Sequence, residues 1–129
     1  MSQQKADLTA AEWDVMECLW ENAPLTGREV TEQLHEKCGW SRSTTLTLLS
    51  RLEAKSAVSG DPAEGKKLFR PLISREDAAL QETEHFLGRV YKGSLNLMVS
   101  AMTQKQSLSQ KEIDELYALL KGLEAEKNA

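Results

Sequence analysis

Apolar residues recur at helical spacing through Trp13, Met16, Leu19 and Trp20, while Glu12, Asp14, Glu17 and Glu21 fill intervening positions. This predicts an amphipathic helix over residues 9–22 with its acids on the outer side. Thr9 followed by Glu12 is a capping box, and Asn22-Ala23-Pro24 ends the helix because proline disfavours helical backbone in the residue before it. A second capping pattern, Thr26 with Glu29, opens a short helix that turns Val30 and Leu34 inward and stops at Gly39, with Lys37 favourably placed in its last turn. Ser41 reads as the N-cap of a third helix, about Arg42 to Lys55. Its inward stripe is Thr45, Leu48, Leu49 and Leu52, at i, i+3, i+4 and i+7. Arg42, Ser43, Thr44, Leu46, Thr47, Ser50 and Arg51 occupy its other face.

Past Lys55 the period changes. Ala57-Val58-Ser59 and Lys67-Leu68-Phe69-Arg70-Pro71-Leu72 predict two short strands around the turn Gly60-Asp61-Pro62-Ala63-Glu64-Gly65, a hairpin with lysines at its tip. Three helices, the last two joined by a tight turn, and then a hairpin make a winged helix-turn-helix. The chain is helical again from Ser74, which with Asp77 resembles a capping pattern. Ala79, Thr83, Phe86, Leu87, Val90 and Tyr91 form the next stripe before Gly93 interrupts it. Leu95, Leu97, Met98, Val99, Ala101 and Met102 are apolar nearly all round, so burial on several sides is expected. Ser109 with Glu112 starts a last helix carrying Ile113, Leu116, Tyr117, Leu120 and Leu123. The expected fold is mainly α with a small β-hairpin wing: a winged-helix domain over residues 1–73 and a helical dimerisation region over 74–129. The later helices are too few to close a core alone, and their apolar surplus is most simply buried against a second copy of the chain. The predicted dimer contacts are Phe86, Leu87, Val90, Tyr91, Leu95, Met98, Met102, Ile113, Leu116, Tyr117 and Leu120.

Net charge changes this picture less than its distribution. The 129 residues carry a net charge of −4, which taken alone argues mildly against a nucleic-acid partner. Between Trp40 and Arg70, however, six bases (Arg42, Arg51, Lys55, Lys66, Lys67, Arg70) face three acids, whereas Asp7–Glu36 holds eight acids and only Arg28. One basic patch therefore sits on an acidic body. No apolar run approaches the ~20 residues of a membrane span, and Met-Ser-Gln-Gln-Lys has no signal-type core. A cytoplasmic protein without a membrane partner is expected. Two cysteines, Cys18 and Cys38, exclude a disulfide scaffold.

The basic patch coincides with the third helix. A helix entering a major groove needs small, hydroxylated and basic side chains on one face. Small residues admit the backbone, hydroxyls reach phosphates or base edges, and arginine reads guanine. Arg42, Ser43, Thr44, Thr47 and Arg51 satisfy this, with Lys66, Lys67 and Arg70 of the hairpin positioned for phosphates of the adjacent groove. The blander alternatives are a solvated helix face and an edge strand guarded by charge. Trp13 and Trp20, seven apart on one helix face, read as core, and Trp40 as a staple of the third helix. His35 and Cys38 supply two metal ligands at most, which do not make a site, and His85 stands alone. No nucleophile–base pair, nucleotide-binding glycine loop or convergent carboxylate pair stands out, so neither an enzyme nor a cofactor is expected. The competing class is a winged-helix module for protein–protein contact.

Four runs together resemble a known family. These are Leu8-Thr9-x-x-Glu12-Trp13-x-Val15-Met16-x-x-x-Trp20, then Trp40-Ser41-x-x-Thr44-x-x-Thr47-Leu48-Leu49-x-Arg51-Leu52-x-x-Lys55, and finally Val90-Tyr91-Lys92-Gly93 with Leu108-Ser109-Gln110-x-Glu112-Ile113-x-Glu115-Leu116. In this order and spacing they resemble the penicillinase-repressor (BlaI/MecI/CopY) family of winged-helix transcriptional repressors, over about residues 8–123. The resemblance implies a homodimer on a palindromic double-stranded operator, with Thr44, Thr47 and Arg51 contacting DNA. It also implies, for members of the β-lactam type, a sensor protease system whose signal leads to a cut within the dimerisation helices. Those members carry Asn-Phe at the cut, where this chain has Ala101-Met102, the candidate position of a proteolytic switch. Leu46 stands where several relatives are basic. The copper-responsive branch has a Cys-x-Cys tail, whereas residues 123–129 here contain no cysteine, so copper sensing by that route is not expected.

Overall fold

The computed structural model describes residues 7–105 and 108–129. Element order is α1 (Ala10–Asn22), β1 (Leu25–Thr26), α2 (Gly27–Cys38), α3 (Arg42–Ala54), β2 (Val58–Ala63), β3 (Lys66–Pro71), α4 (Arg75–Tyr91), α5 (Leu95–Lys105) and α6 (Gln110–Lys127). All three sequence-derived capping boxes form. In α1, α2 and α6 the cap hydroxyl accepts the N3 backbone N–H and the N3 glutamate reaches back to the cap N–H. These pairings satisfy donors that a helix start otherwise leaves bare. Gly39 ends α2 in the left-handed region at φ 72°, where a Cβ would be strained. Ala23, just before Pro24, is extended, which closes α1.

The strands form one antiparallel sheet in the order β1-β3-β2. The wing differs from its expected outline in two ways. Its turn is only Glu64-Gly65, both at positive φ (51° and 77°), the backbone a tight two-residue hairpin demands. Gly60, Asp61, Pro62 and Ala63, expected in the turn, instead pair with Phe69, Leu68, Lys67 and Lys66. Pro62 is tolerated because β2 is an edge strand. The second difference is β1, too short to leave a sequence signal, which pairs Leu25 with Phe69 and Thr26 with Leu68 and so ties the wing to the start of α2.

The core lies among α1, α2, α3 and the sheet. It contains Val15, Met16, Leu19, Val30, Leu34, Leu48, Leu49, Leu52, Val58 and Phe69, with Trp13, Trp20, Trp40 and Leu46 half-buried against it. All four residues of the expected α3 stripe are buried. Glu12 corrects the reading of α1. Expected among the outer acids, it is 1% exposed. Lys55 Nζ donates to Glu12 Oε1 at 2.6 Å, and the Thr9 backbone N–H donates to the same oxygen at 2.8 Å. Burial pushes this carboxyl's pKa up, but the Lys55 ammonium and the Thr9 N–H outweigh it, and the net shift is downward. Trp13 and Trp20 are half-buried rather than fully inward, and their rings meet edge-to-face at 5.1 Å.

The chain divides into two compact units, Met1–His85 and Phe86–Ala129. The first continues past the wing, beyond the boundary expected after residue 73, because Ala78 is buried in its core. The buried stripe of α4 starts one residue earlier than the sequence pattern suggests: Ala78 is buried and Ala79 only half-buried. Trp20 Nε1 donates to the Ile73 carbonyl at 2.9 Å, and Arg75 makes two hydrogen bonds to Glu17, at 3.0 and 2.9 Å, fastening the start of α4 to α1. In the second unit α5 and α6 bury no residue. The all-round apolar helix expected to be enclosed therefore has Leu95 58%, Leu97 53% and Met102 58% exposed within a single chain.

Candidate nucleic-acid interface

Helix α3 is presented by its own two faces. Thr45, Leu48, Leu49 and Leu52 hold it on the core, which leaves Arg42, Ser43, Thr44, Thr47, Ser50 and Arg51 exposed. Ser43, Thr44, Thr47, Leu48 and Arg51 line a shallow, mostly polar depression on that outer side. At its start, Ser41 Oγ accepts the Thr44 backbone N–H at 3.2 Å and donates to Thr44 Oγ1 at 3.1 Å. The cap thus fixes the hydroxyls of the first turn. His35 Nδ1–H donates to the Trp40 carbonyl at 3.2 Å, tying the end of α2 to the approach to α3.

The remaining sequence candidates separate. Leu46 is half-buried, and its Cδ2 lies 3.4 Å from where a Cβ on Gly27 would be, so much of this side chain packs between α2 and α3. Lys66 is exposed beside the wing turn, close enough to the α2 start to help hold the Glu29 carboxyl below its usual range, after the dominant Thr26 backbone N–H. Lys67, expected beside Lys66 at phosphates, turns the other way: its Nζ is 2.8 Å from Glu53 Oε1. Arg70 lies 4.0 Å from Asp61. Strand alternation carried the signal for Lys67, which shares its β3 face with buried Phe69, while Lys66 shares the opposite face with Leu68 and Arg70.

Among the expected dimer contacts, Leu87, Tyr91 and Met98 are half-buried, while Phe86, Val90, Leu95, Met102, Ile113, Leu116, Tyr117 and Leu120 are exposed. Ile113, Leu116, Tyr117 and Leu120 line one apolar groove with Leu108 along α6. Ala101 and Met102, the candidate switch, lie inside helix α5. Among the described residues no three His, Cys, Asp or Glu side chains gather to hold a metal, and no helix is long and apolar enough to cross a membrane. Cys18 is buried, its thiol donating to Gln33 Oε1 at 3.1 Å, and burial pushes its pKa up.

Three helices, a three-stranded wing sheet and an outward polar-basic helix face define a winged-helix transcription regulator. The family model described as penicillinase repressor matches residues 8–122, and the chain belongs to that family, one of transcriptional repressors and not of enzymes. The methicillin resistance regulatory protein MecI of Staphylococcus aureus (strain N315) is 30% identical over 122 residues, 93% of this chain and 98% of that protein. The penicillinase repressor of Bacillus licheniformis is 33% identical over 113 residues, 88% of each. The solution structure of the DNA-binding domain of the repressor BlaI has a TM-score of 0.54 at 26% identity, covering 59% of this chain and 93% of that one. The Bacillus licheniformis BlaI monomer, solved in complex with the blaP half-operator, has a TM-score of 0.53 at 26% identity with the same coverage.

Proposed function

We propose that this chain is a cytoplasmic repressor that binds a palindromic operator as a homodimer. Each protomer places α3 in a major groove, and the two grooves lie about one helical turn (~34 Å) apart. Arg42, Ser43, Thr44, Thr47 and Arg51 are its DNA contacts, with Leu46 at the edge of that face. The observation that carries the reading is the division of α3 into a buried stripe and an exposed face of hydroxyls and arginines. It is supported by a similar domain solved on a half-operator. Arginine reads a base edge or a phosphate, threonine and serine hydroxyls reach phosphates, and the free N–H groups at the start of α3 favour an anion.

The second unit supplies the dimer. Its exposed leucines, Met102, Phe86 and Val90 make an apolar surface that a second copy buries, with Leu87, Tyr91 and Met98 at its margin. The winged-helix unit, Met1–His85, and the helical unit, Phe86–Ala129, divide the two tasks. Derepression follows loss of the dimer or of operator contact, because a monomer keeps only half the base and phosphate contacts and loses several orders of magnitude in affinity. A sensor protease system acting at Ala101-Met102 would cut α5 itself, and hence the dimer surface.

The test is duplex binding across a salt series, using promoter DNA upstream of the protein's own gene. Log K should fall with log salt at a slope of several units per dimer, with preference for one site over random duplex. A flat slope, or equal affinity for every sequence, removes the proposal. Arg51→Ala should weaken cognate binding by about 1–3 kcal/mol if Arg51 reads a base.

A further inference from the structure

The two wing lysines differ in what they touch. Lys67 Nζ sits 2.8 Å from Glu53 Oε1, on α3, and 5.5 Å from the centre of the Phe69 ring. This bridge passes over Gly60, which pairs with Phe69 across the hairpin. A Cβ at Gly60 would lie 2.3 Å from Lys67 Cε and 2.7 Å from Glu53 Oε2, so the bridge occupies the space a side chain would need. Lys66 lies on the opposite face of β3, exposed and within electrostatic reach of the Glu29 carboxylate at the start of α2.

We infer that Glu53 and Lys67 form a strut that ties the turn end of the wing to α3, making Lys67 a positioning residue and Lys66 the wing lysine that meets phosphate. The inference rests on the operator-binding reading above. Its physical basis is local neutrality. While paired, the Lys67 charge is offset locally by the Glu53 carboxylate. If it swung to a phosphate, the partly exposed Glu53 carboxylate would be left facing the polyanion without a counter-charge. The strut therefore spaces the wing from α3 and withholds one cation from indiscriminate backbone binding, which raises the contrast between cognate and random DNA.

Counterion release reads this directly, since each phosphate neutralised adds about 0.9 to the salt slope. Binding of the full-length protein to its promoter fragment and to a random-sequence duplex would be compared across a salt series. Lys66→Gln should lower the slope by about one unit per protomer, and the charge-neutral double variant Glu53→Gln/Lys67→Gln should keep the wild-type slope. Glu53→Gln alone should free Lys67, steepen the slope by about one unit per protomer and tighten random-duplex binding severalfold, so that site preference falls. Circular dichroism melts of each variant show that the fold persists. A double variant whose slope drops as far as that of Lys66→Gln, or a Glu53→Gln slope equal to wild type, overturns the strut. A wild-type slope of zero would instead overturn the operator reading itself.

Discussion

Lys55 Nζ, at the end of α3, lies 2.6 Å from Glu12 Oε1 in α1 and also donates to the Asp7 carbonyl at 2.6 Å. One ammonium thus joins the N-terminal approach, the capping box of α1 and the C-terminus of α3, where a positive charge also favours the helix dipole.

This pair makes stability depend on pH. Glu12 titrates below the ordinary glutamate value, so its contribution is fully present above about pH 4.3 and lost as pH falls through the depressed folded value. Lys55→Met should cost about 1.5–3 kcal/mol in urea unfolding at neutral pH, because a buried carboxylate loses its charged partner. It should also flatten the acid limb of the stability curve. An unchanged acid limb in Lys55→Met would show that the pair does not set it.

Ser41→Ala should remove the α3 cap and cost about 1 kcal/mol of stability in thermal or urea unfolding. It also removes the Ser41 hydroxyl that donates to Thr44 Oγ1, so operator affinity should fall further than the stability loss accounts for. Affinity equal to wild type at a temperature where both are folded would separate the cap from binding.

Trp20→Phe keeps the ring against the core but removes the donor to the Ile73 carbonyl. The expected loss is about 1–2 kcal/mol, and hydrogen exchange at the first turn of α4 should quicken selectively. Uniform quickening over the whole winged-helix unit would mean that the bond stabilises the fold globally and does not fasten α4 locally.

Leu95→Asp or Leu116→Asp places a charge in the apolar surface assigned to the partner copy. Both should sediment as monomers with intact helicity, because burying an unpaired carboxylate opposes association. A dimer surviving either substitution would move the interface to another face.

Sequence legibility followed the range of the interaction. The α3 face was readable because Thr45, Leu48, Leu49 and Leu52 obey one local period, and the caps because Thr9, Thr26 and Ser109 each find a glutamate three residues on. The burial of Glu12 leaves no local signal because its partner Lys55 is 43 residues distant and no periodicity records it. The wing turn is shorter than its sequence suggests because Pro62 and Gly60, which look like turn residues, are accommodated in an edge strand. Strand β1 left no trace, since its existence depends on Phe69 and Leu68 arriving from far along the chain. The two wing lysines look alike in composition, but alternation along β3 puts Lys67 on the face of Phe69 and Lys66 on the other.

The placement of the indoles has a spectroscopic consequence. Trp13 and Trp20 touch each other beneath the Arg75 guanidinium, 5.8 and 6.0 Å from their ring centres, at the root of α4. Trp40 stands apart, immediately ahead of the α3 cap. Intrinsic ultraviolet emission therefore originates at two separate stations, one beside α3 and one where the chain departs toward its C-terminal half, and an unlabelled sample reports on both.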